Sequence, residues 1–318
     1  MTNQLLNVKD YTWHIIINPN ACERKCFNRW KEISSRLDIN EVKYVLHKSV
    51  GIKVGIDIAK KLCEEGVRHI IAIGGDGTIN EVVNGIMLSG VDTREVFLAV
   101  LPLGRGNDWA RTHKFPKNCI DSIDVFLQGK FLQHDIGKVQ TLKQSQVAAE
   151  RYFANIAGFG FDAEVIYDTG YNKPHFIGIS VYVLSLVRCL FKYQSIPVHI
   201  AAPGFEYKDR VFTMAVAICQ YNGGGMRQAP MAKPDDGMLD IVAIKNLNKL
   251  RVLTLVKSLF DGSHLQKAPD KVAFSQADSV TITSPQLLRA EVEGELLETG
   301  EYRVTLLPSA LNMLTNLQ

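Results

Sequence analysis

The stretch from Val67 to Met87, VRHIIAIGGDGTINEVVNGIM, restricts the fold more than any other part of the chain. Its apolar run Ile70-Ile71-Ala72-Ile73 has no helical period and stops at Gly74-Gly75-Asp76-Gly77-Thr78, as a buried strand ending in a tight turn does. A helix follows, because Ile79, Val82, Val83, Ile86 and Met87 fall on one helical face and Asn80, Glu81 and Asn84 on others. Strand, glycine turn and helix make a phosphate cradle: glycines admit a ligand close to the backbone, and the free N–H groups of the first helical turn face it. Asp76 narrows the chemistry. A bare carboxylate beside a polyphosphate repels it, so the turn makes sense only if a divalent cation or a hydroxyl proton mediates, which points to phosphoryl transfer. The loop lacks the Lys-Ser or Lys-Thr ending of a Walker A motif and the spacing of a dinucleotide GxGxxG. The plainer alternative is a tight turn whose Asp is a solvated helix cap; two adjacent glycines followed by Asp-Gly-Thr weigh against it.

Strands are expected at His14–Ile17, Val42–Leu46 and Val96–Leu101, and helices at Arg24–Leu37 and Ile52–Cys63. The Val96 strand ends at Pro102-Leu103-Gly104-Arg105-Gly106-Asn107-Asp108. Alternating strands and helices predict a parallel α/β sheet with ligands at the carboxyl ends of its strands. Three such ends carry polar or glycine turns: Asn18-Pro19, GGDGT and GRGND. After about Asp135 the pattern changes to strands, at Arg151–Ile156, Pro197–Ala201, Val211–Cys219, Leu239–Ile244, Ser279–Thr283, Leu288–Val292 and Tyr302–Leu307. That predicts an all-β second domain, a sandwich, interrupted by helices at Phe176–Leu190 and Lys249–Phe260. Gln140–Gln146 reads as an exposed hairpin tip. With no low-complexity linker the domains should pack directly and leave a cleft.

Net charge of +3 over 318 residues is too small to argue for nucleic acid, and 46% hydrophobic with 22% charged residues is ordinary for a globular protein. Six cysteines (Cys22, Cys26, Cys63, Cys119, Cys189, Cys219) show no framework spacing, and no secretory segment opens the chain, so a reduced, cytoplasmic protein is expected. Cys22 and Cys26 lack a second pair to complete a metal site. His113 and His134 show no partner pattern. The apolar run Phe176–Leu190 falls short of the roughly 20 residues of a spanning helix and contains Arg188. It is a buried or interfacial helix, and Tyr182 and Leu186 on it are either a wall for acyl chains or core.

Taken together, GGDGT with Ile79-Asn80-Glu81-Val82-Val83-Asn84-Gly85, LPLGRGND, Gly158-Phe159-Gly160-Phe161-Asp162-Ala163, Asp235-Asp236-Gly237-Met238-Leu239-Asp240 and Val292-Glu293-Gly294-Glu295 resemble, in order, the motifs of the diacylglycerol kinase catalytic family. These are bacterial lipid kinases related to sphingosine and ceramide kinases. GGDGT alone would be less specific, since NAD kinases and phosphofructokinases share it. The resemblance implies an α/β plus all-β fold. Residues 1–135 would form a Rossmann-like parallel-sheet nucleotide domain of the NAD kinase and phosphofructokinase kind. Residues 136–308 would form a β-sandwich lipid domain, and 309–318 a segment returning to the first.

The family's nucleotide site carries over to Asn18, Pro19, Ser49, Gly74, Gly75, Asp76, Gly77, Thr78, Ile79, Asn80 and Arg105, with Asn107 and Asp108 supporting the second loop. Three departures stand out: no glycine after Asn18-Pro19, Ser49 where threonine is common, and Arg105 where threonine or serine is usual. Arg105 could grip a phosphate bidentately or pair with a surface carboxylate. The catalytic base carries over to Glu295, with Glu293 at the preceding acidic position where aspartate is common; Asp76 completes that set. A lipid hydroxyl is a poor nucleophile until its proton is taken, although without the motif order two acids around one glycine would read as a surface hairpin tip. The metal loop carries over to Asp236, with carbonyls of Lys233 and Met238; Asp-Gly is also an ordinary turn signal. Gly223-Gly224-Gly225 either lines the cleft or merely connects strands.

The resemblance therefore implies an ATP- and Mg2+-dependent lipid kinase, with diacylglycerol to phosphatidic acid first. A soluble-metabolite kinase such as an NAD kinase, and a catalytically silent nucleotide or lipid sensor, are the alternatives. The implied partners are a diacylglycerol-like lipid, a membrane surface met peripherally through an apolar lip or basic side chains such as Lys173, Arg188 and Lys192, no nucleic acid, and a homodimer as an open option.

Overall fold

A computed structural model describes residues 3–19, 26–51, 53–169, 188–248 and 257–317. The first part runs β1 (Asn3–Leu5), β2 (Thr12–Ile17), α1 (Cys26–Ile39), β3 (Lys43–Lys48), α2 (Val54–Glu64), β4 (His69–Gly74), α3 (Asp76–Met87), β5 (Phe97–Pro102), α4 (Asp108–Thr112) and α5 (Ser122–Leu127). The strand order β3-β2-β4-β5 is wholly parallel. Helices cover both faces, which is why HIIAIG is apolar at nearly every position. Ile70 and Ala72 of β4 pack with Ile79, Val82, Val83 and Ile86 of α3. Ile71 and Ile73 join the opposite core with Ile33 and Leu37 of α1 and Phe126 of α5. Because β2 is flanked by β3 on one side and β4 on the other, the chain direction of the connections reverses there. The turns after β2 and β4 open a crevice at that point.

The second part is antiparallel: β6 (Lys130–Lys143), β7 (Gln146–Phe153), β8 (Ile156–Gly160), α6 (Phe161–Thr169), β9 (Ile196–Ala202), β10 (Phe205–Ala217), β11 (Leu239–Lys245), β12 (Val272–Ala277), β13 (Ser279–Thr283), β14 (Ala290–Val292), β15 (Glu295–Leu296) and β16 (Glu301–Leu314). Strand β16 stitches the two parts together. Its start pairs with β13, its length with β6, and Asn312 and Met313 run parallel to Phe97 and Leu98 of β5. The register against β6 slips between Leu307 and Leu311, where Ser309 takes φ 50°. This bulge bends the strand between its pairing with β13 and its parallel pairing with β5 within one continuous sheet. The fold is α/β plus a β-sandwich, as the motif order implied.

Local differences from the sequence reading have local causes. The strand expected over Arg151–Ile156 is two strands, because Ala154 and Asn155 both donate their N–H groups to Glu293 Oε1 at 2.8 Å instead of to a ladder. The last strand runs seven residues beyond Leu307, and β6 extends to Lys143, so the Gln140–Gln146 tip shrinks to Gln144 and Ser145, both at positive φ. Most of the helices expected at Phe176–Leu190 and Lys249–Phe260, with Tyr182, Leu186 and Lys173, lie outside the described residues, as do Cys22 and the start of the Arg24 helix.

Helix α3 docks on β7 through two asparagines. The Tyr152 carbonyl accepts from Asn80 Nδ2 at 3.1 Å and Asn84 Nδ2 at 2.9 Å, and the Tyr152 N–H donates to Asn84 Oδ1 at 3.0 Å. Asn84 thus satisfies both backbone groups of one residue across the domain boundary. Asn84→Leu is expected to cost about 1–3 kcal/mol in urea unfolding, since it leaves the N–H of half-buried Tyr152 without its acceptor. A loss below about 0.5 kcal/mol, the range of ordinary surface changes, would contradict the docking role.

Candidate active site

The two glycine loops touch backbone to backbone at the crevice. Gly75 and Gly104 face each other so closely that a β-carbon on Gly104 would stand 2.5 Å from Gly75 Cα. The Leu103 N–H donates to the Gly74 carbonyl at 2.7 Å. Asn107, at φ 50°, closes the second loop by accepting from the Gly104 N–H at 2.9 Å and donating to the Gly104 carbonyl at 3.1 Å. Asp76, the first residue of α3, accepts the Trp109 N–H at 3.1 Å, so one carboxylate joins the starts of two helices. Burial raises its pKa, and backbone N–H groups oppose the shift. Asp108 is buried; desolvation and then the Asp76 charge push it up to about 6. Its Oδ2 accepts the Gly224 N–H at 2.7 Å, so the Gly223–Gly225 loop reaches the first domain, while its Oδ1 has no hydrogen-bond partner and lies 3.5 Å from Arg111 Nε.

At the neighbouring strand ends, the Asn18 N–H donates to the Ile73 carbonyl and the buried Ser49 donates its N–H to the Ile17 carbonyl at 2.9 Å. Asn18, Pro19 and Ser49 therefore gather around the tips of β2, β3 and β4, beside Gly74. Thr78 and Ile79 are buried in the first turn of α3 and Gly77 is exposed; Arg105 is exposed on the second loop. Asn80 points elsewhere. Its side chain goes to Tyr152 and to Arg151, whose Nη2 donates to Asn80 Oδ1 at 2.6 Å.

Arg151 is the link to the acid turn of the second domain. Its Nη1 lies 2.5 Å from Glu295 Oε2, with both side chains mostly buried. Arg151 thereby links Asn80 of α3 to Glu295, whose charge also acts on Glu81 of the same helix. Glu293, at φ 50°, is pinned by the Ala154 and Asn155 amides. Desolvation raises it to about 7, those amides and Arg151 pulling down and the Asp76 charge pushing up. Glu295 is thus paired with the guanidinium, and Glu293 lies within electrostatic reach of both Arg151 and Asp76.

Residues 12–139 match the model of the diacylglycerol kinase catalytic domain, and residues 154–315 that of the YegS C-terminal NAD kinase beta sandwich-like domain. The chain belongs to the diacylglycerol kinase catalytic-domain family. It is 30% identical over 258 residues to the probable lipid kinase YegS-like of Chromohalobacter salexigens, covering 81% of this chain and 79% of that one. It is 28% identical over 237 residues to the diacylglycerol kinase of Staphylococcus carnosus, covering 74% and 73%. A crystal structure of a diacylglycerol kinase from Bacillus anthracis str. Sterne superposes with a TM-score of 0.70 at 21% identity over 96% of this chain and 97% of that one, a likeness of fold. Membership places the chain among lipid kinases, whose chemistry uses a nucleotide and a divalent metal.

The residues present suit both. Among the described residues, the first turn of α3 is open at Gly77, where a β-carbon would meet nothing within 4 Å. Asp76 and Asp108 offer hard oxygen donors of the kind magnesium takes, Asp108 Oδ1 having only the Arg111 guanidinium beside it. In the Asp235–Asp240 motif Asp236 is exposed on its turn and accepts the Met238 N–H at 3.1 Å, with Lys233 three residues earlier. Asp135 accepts the Gly237 and Ser309 N–H groups at 2.8 and 2.7 Å, tying that turn to the bulge in β16.

Two features escaped the sequence reading. One is Arg151, which no family motif contains. The other is Glu291, 1% exposed, which accepts the Gly294 N–H at 2.7 Å and so shapes the turn carrying both acids. Burial pushes Glu291 up to about 8, the Gly294 N–H opposing and Asp162 and Glu293 adding. The unfolded chain releases this proton near the ordinary 4.5. Between those values the folded state binds more protons than the unfolded, so stability falls as pH rises through that window. Glu291→Gln is expected to flatten the fall between pH 5 and 8 by a few kcal/mol at about 1.4 kcal/mol per unit, with Glu293, Asp108 and Asp240, whose pKa values burial also raises, supplying slope that remains. Equal slopes for variant and wild type in thermal melts would show that Glu291 is not the source.

Proposed function

We propose that this chain transfers the γ-phosphoryl group of Mg-ATP to the hydroxyl of a membrane lipid, and that the lipid is diacylglycerol, giving phosphatidic acid. The observation that carries the reading is the meeting of helix α3, which begins at Asp76, with the Glu293-Gly294-Glu295 turn, Arg151 bridging Asn80 to Glu295 and Glu293 feeling the Asp76 charge. When bound, Mg-ATP supplies the phosphoryl group and the cation that offsets its charge. The backbone amides from Gly75 to Ile79 cradle the phosphates, with Asn18, Pro19, Ser49 and Arg105 around them. Asp76 and Asp108 hold the cation. Glu295 takes the proton of the lipid hydroxyl as its oxygen bonds to phosphorus and the bond from phosphorus to ADP breaks. Glu293 keeps the turn in place, and Asp236 with the Lys233 and Met238 carbonyls holds a second ion in the β-domain.

The lipid is met from outside the bilayer. Among the described residues no helix is long and apolar enough to cross a membrane. Phe191 and Phe260 are 61% and 50% exposed, on helical segments 188–192 and 257–261 that share one apolar cluster, and Arg188, Lys192 and Lys257 lie exposed beside them. That pairing of aromatic and basic side chains suits an anionic interface. The deciding experiment incubates purified protein with Mg-ATP and, separately, diacylglycerol, sphingosine, ceramide and NAD, and reads the products by mass. Phosphatidic acid as the main product supports the reading. Phosphorylated NAD alone, or nucleotide binding with no product in any arm, defeats it.

A further inference from the structure

Three soft donors meet in the core where the two domains join. His113 Nε2 lies 3.9 Å and His134 Nε2 3.8 Å from Cys219 Sγ, and the three atoms lie within 4.8 Å of one another. They come from separate elements: His113 follows α4, His134 sits in β6 and Cys219 follows β10. All three residues are fully buried. Nitrogen and sulfur donors at roughly 2.1 and 2.3 Å from a tetrahedral zinc stand about 3.6 Å apart, so the observed spacing needs little contraction.

The surroundings are those of a ligand set. His134 Nδ1 can only donate to the Asp135 carbonyl beside it, which leaves Nε2 of the neutral ring unprotonated, its lone pair between the sulfur and the Trp109 indole N–H. His113 Nδ1 is held 3.0 Å from Thr315 Oγ1, so its Nε2 also faces inward. Such oxygen partners on the far nitrogen orient metal-binding imidazoles. The Ala154 carbonyl, 3.3 Å from Cys219 Sγ, offers a fourth donor. Burial keeps the thiol protonated, with the charges of Glu293, Asp135 and Asp76 acting the same way; a bound cation would reverse the effect of those acids and be stabilised by them.

We propose that His113, His134 and Cys219 bind a zinc ion that pins the two domains together, apart from any cation carried by the nucleotide. The donor set separates the two ions, since nitrogen and sulfur select zinc where the Asp76 and Asp108 oxygens select magnesium. The Trp109 indole N–H reaches His134 Nε2 at 3.4 Å, its ring stacks on His113 at 4.0 Å, and its backbone N–H holds Asp76. In the metal-free form that indole takes the lone pair and the thiol donates to Ala154, so a hydrogen-bonded cluster and a zinc site compete for the same atoms.

Metal analysis decides between them. Full-length protein from zinc-supplemented cells, purified without chelator, should carry about one zinc per chain, and protein unfolded in chelator and refolded with Co2+ should show a thiolate-to-cobalt charge-transfer band. Both signals should vanish in Cys219→Ala and persist in Cys63→Ala, whose thiol lies in another part of the core. Wild-type protein with under about a tenth of an equivalent and no cobalt band would establish the hydrogen-bonded cluster alone. Retention of full metal by Cys219→Ala would place the ion elsewhere. Either result overturns the site, and neither bears on the kinase reading, because both readouts are independent of activity.

Discussion

Asp76→Asn should lower phosphoryl transfer to diacylglycerol by about 10³-fold, the scale of removing one preorganised charge at a reacting phosphate, while leaving the protein at least as stable. The amide keeps an oxygen where Oδ1 accepts the Trp109 N–H, so the joint between α3 and α4 survives. What disappears is the negative charge that would hold the cation, and with it the coulombic push on Asp108 and Glu293. Burial raises the Asp76 pKa, which means that the ionised form is penalised in the folded state near neutral pH. A neutral isostere escapes that penalty, so the melting temperature at pH 7.5 should hold or rise as activity falls. A loss of activity accompanied by a large drop in melting temperature would point to a structural carboxylate. Transfer within about threefold of wild type, under 1 kcal/mol of transition-state stabilisation, would remove Asp76 from the chemistry.

The parts of this site that were legible in the sequence are those made by neighbours along the chain. Gly74 to Thr78 announce a turn because the strand before and the helix after carry their own periods, and Asp76 stands out against the glycines around it. The same holds for Asn107, whose left-handed backbone and bond to Gly104 span three residues. What was missed depends on sequence-distant pairing. Glu293 breaks a strand 139 residues away by claiming the Ala154 amide, and nothing in RYFANIAG signals that two of its N–H groups have left the ladder. His113 and Cys219 are 106 residues apart and meet only because α4 packs against the loop after β10. Asn80 shows the converse. Position one turn beyond Asp76 suggests a phosphate ligand, yet the side chain is spent on Arg151 and Tyr152, because α3 must satisfy the exposed edge of β7. A motif residue can thus serve the domain joint with its side chain.

That joint sets up the second large effect, at Glu295. Glu295→Gln should cut transfer by about 10²–10⁴-fold, the usual worth of a positioned general base, with the KM for Mg-ATP little changed because the glycine loops are untouched. Arg151→Gln acts through Glu295 and removes no reacting group. The guanidinium holds the carboxylate at 2.5 Å and is itself held by Asn80, so its loss frees Glu295 from its place beside α3. A tenfold to hundredfold loss is expected, about 1.4–2.7 kcal/mol of transition-state stabilisation. Lysine should recover only part of it, since one ammonium cannot bridge Asn80 and Glu295 in the bidentate manner of a guanidinium. The double variant separates positioning from catalysis. If Arg151 works by placing Glu295, then Arg151→Gln added to Glu295→Gln should cost almost nothing further, a coupling close to the whole single-variant effect. If the two losses multiply, Arg151 has its own contact with the transferring phosphoryl group. The acid turn would then be a clamp on phosphate as well as the seat of a base.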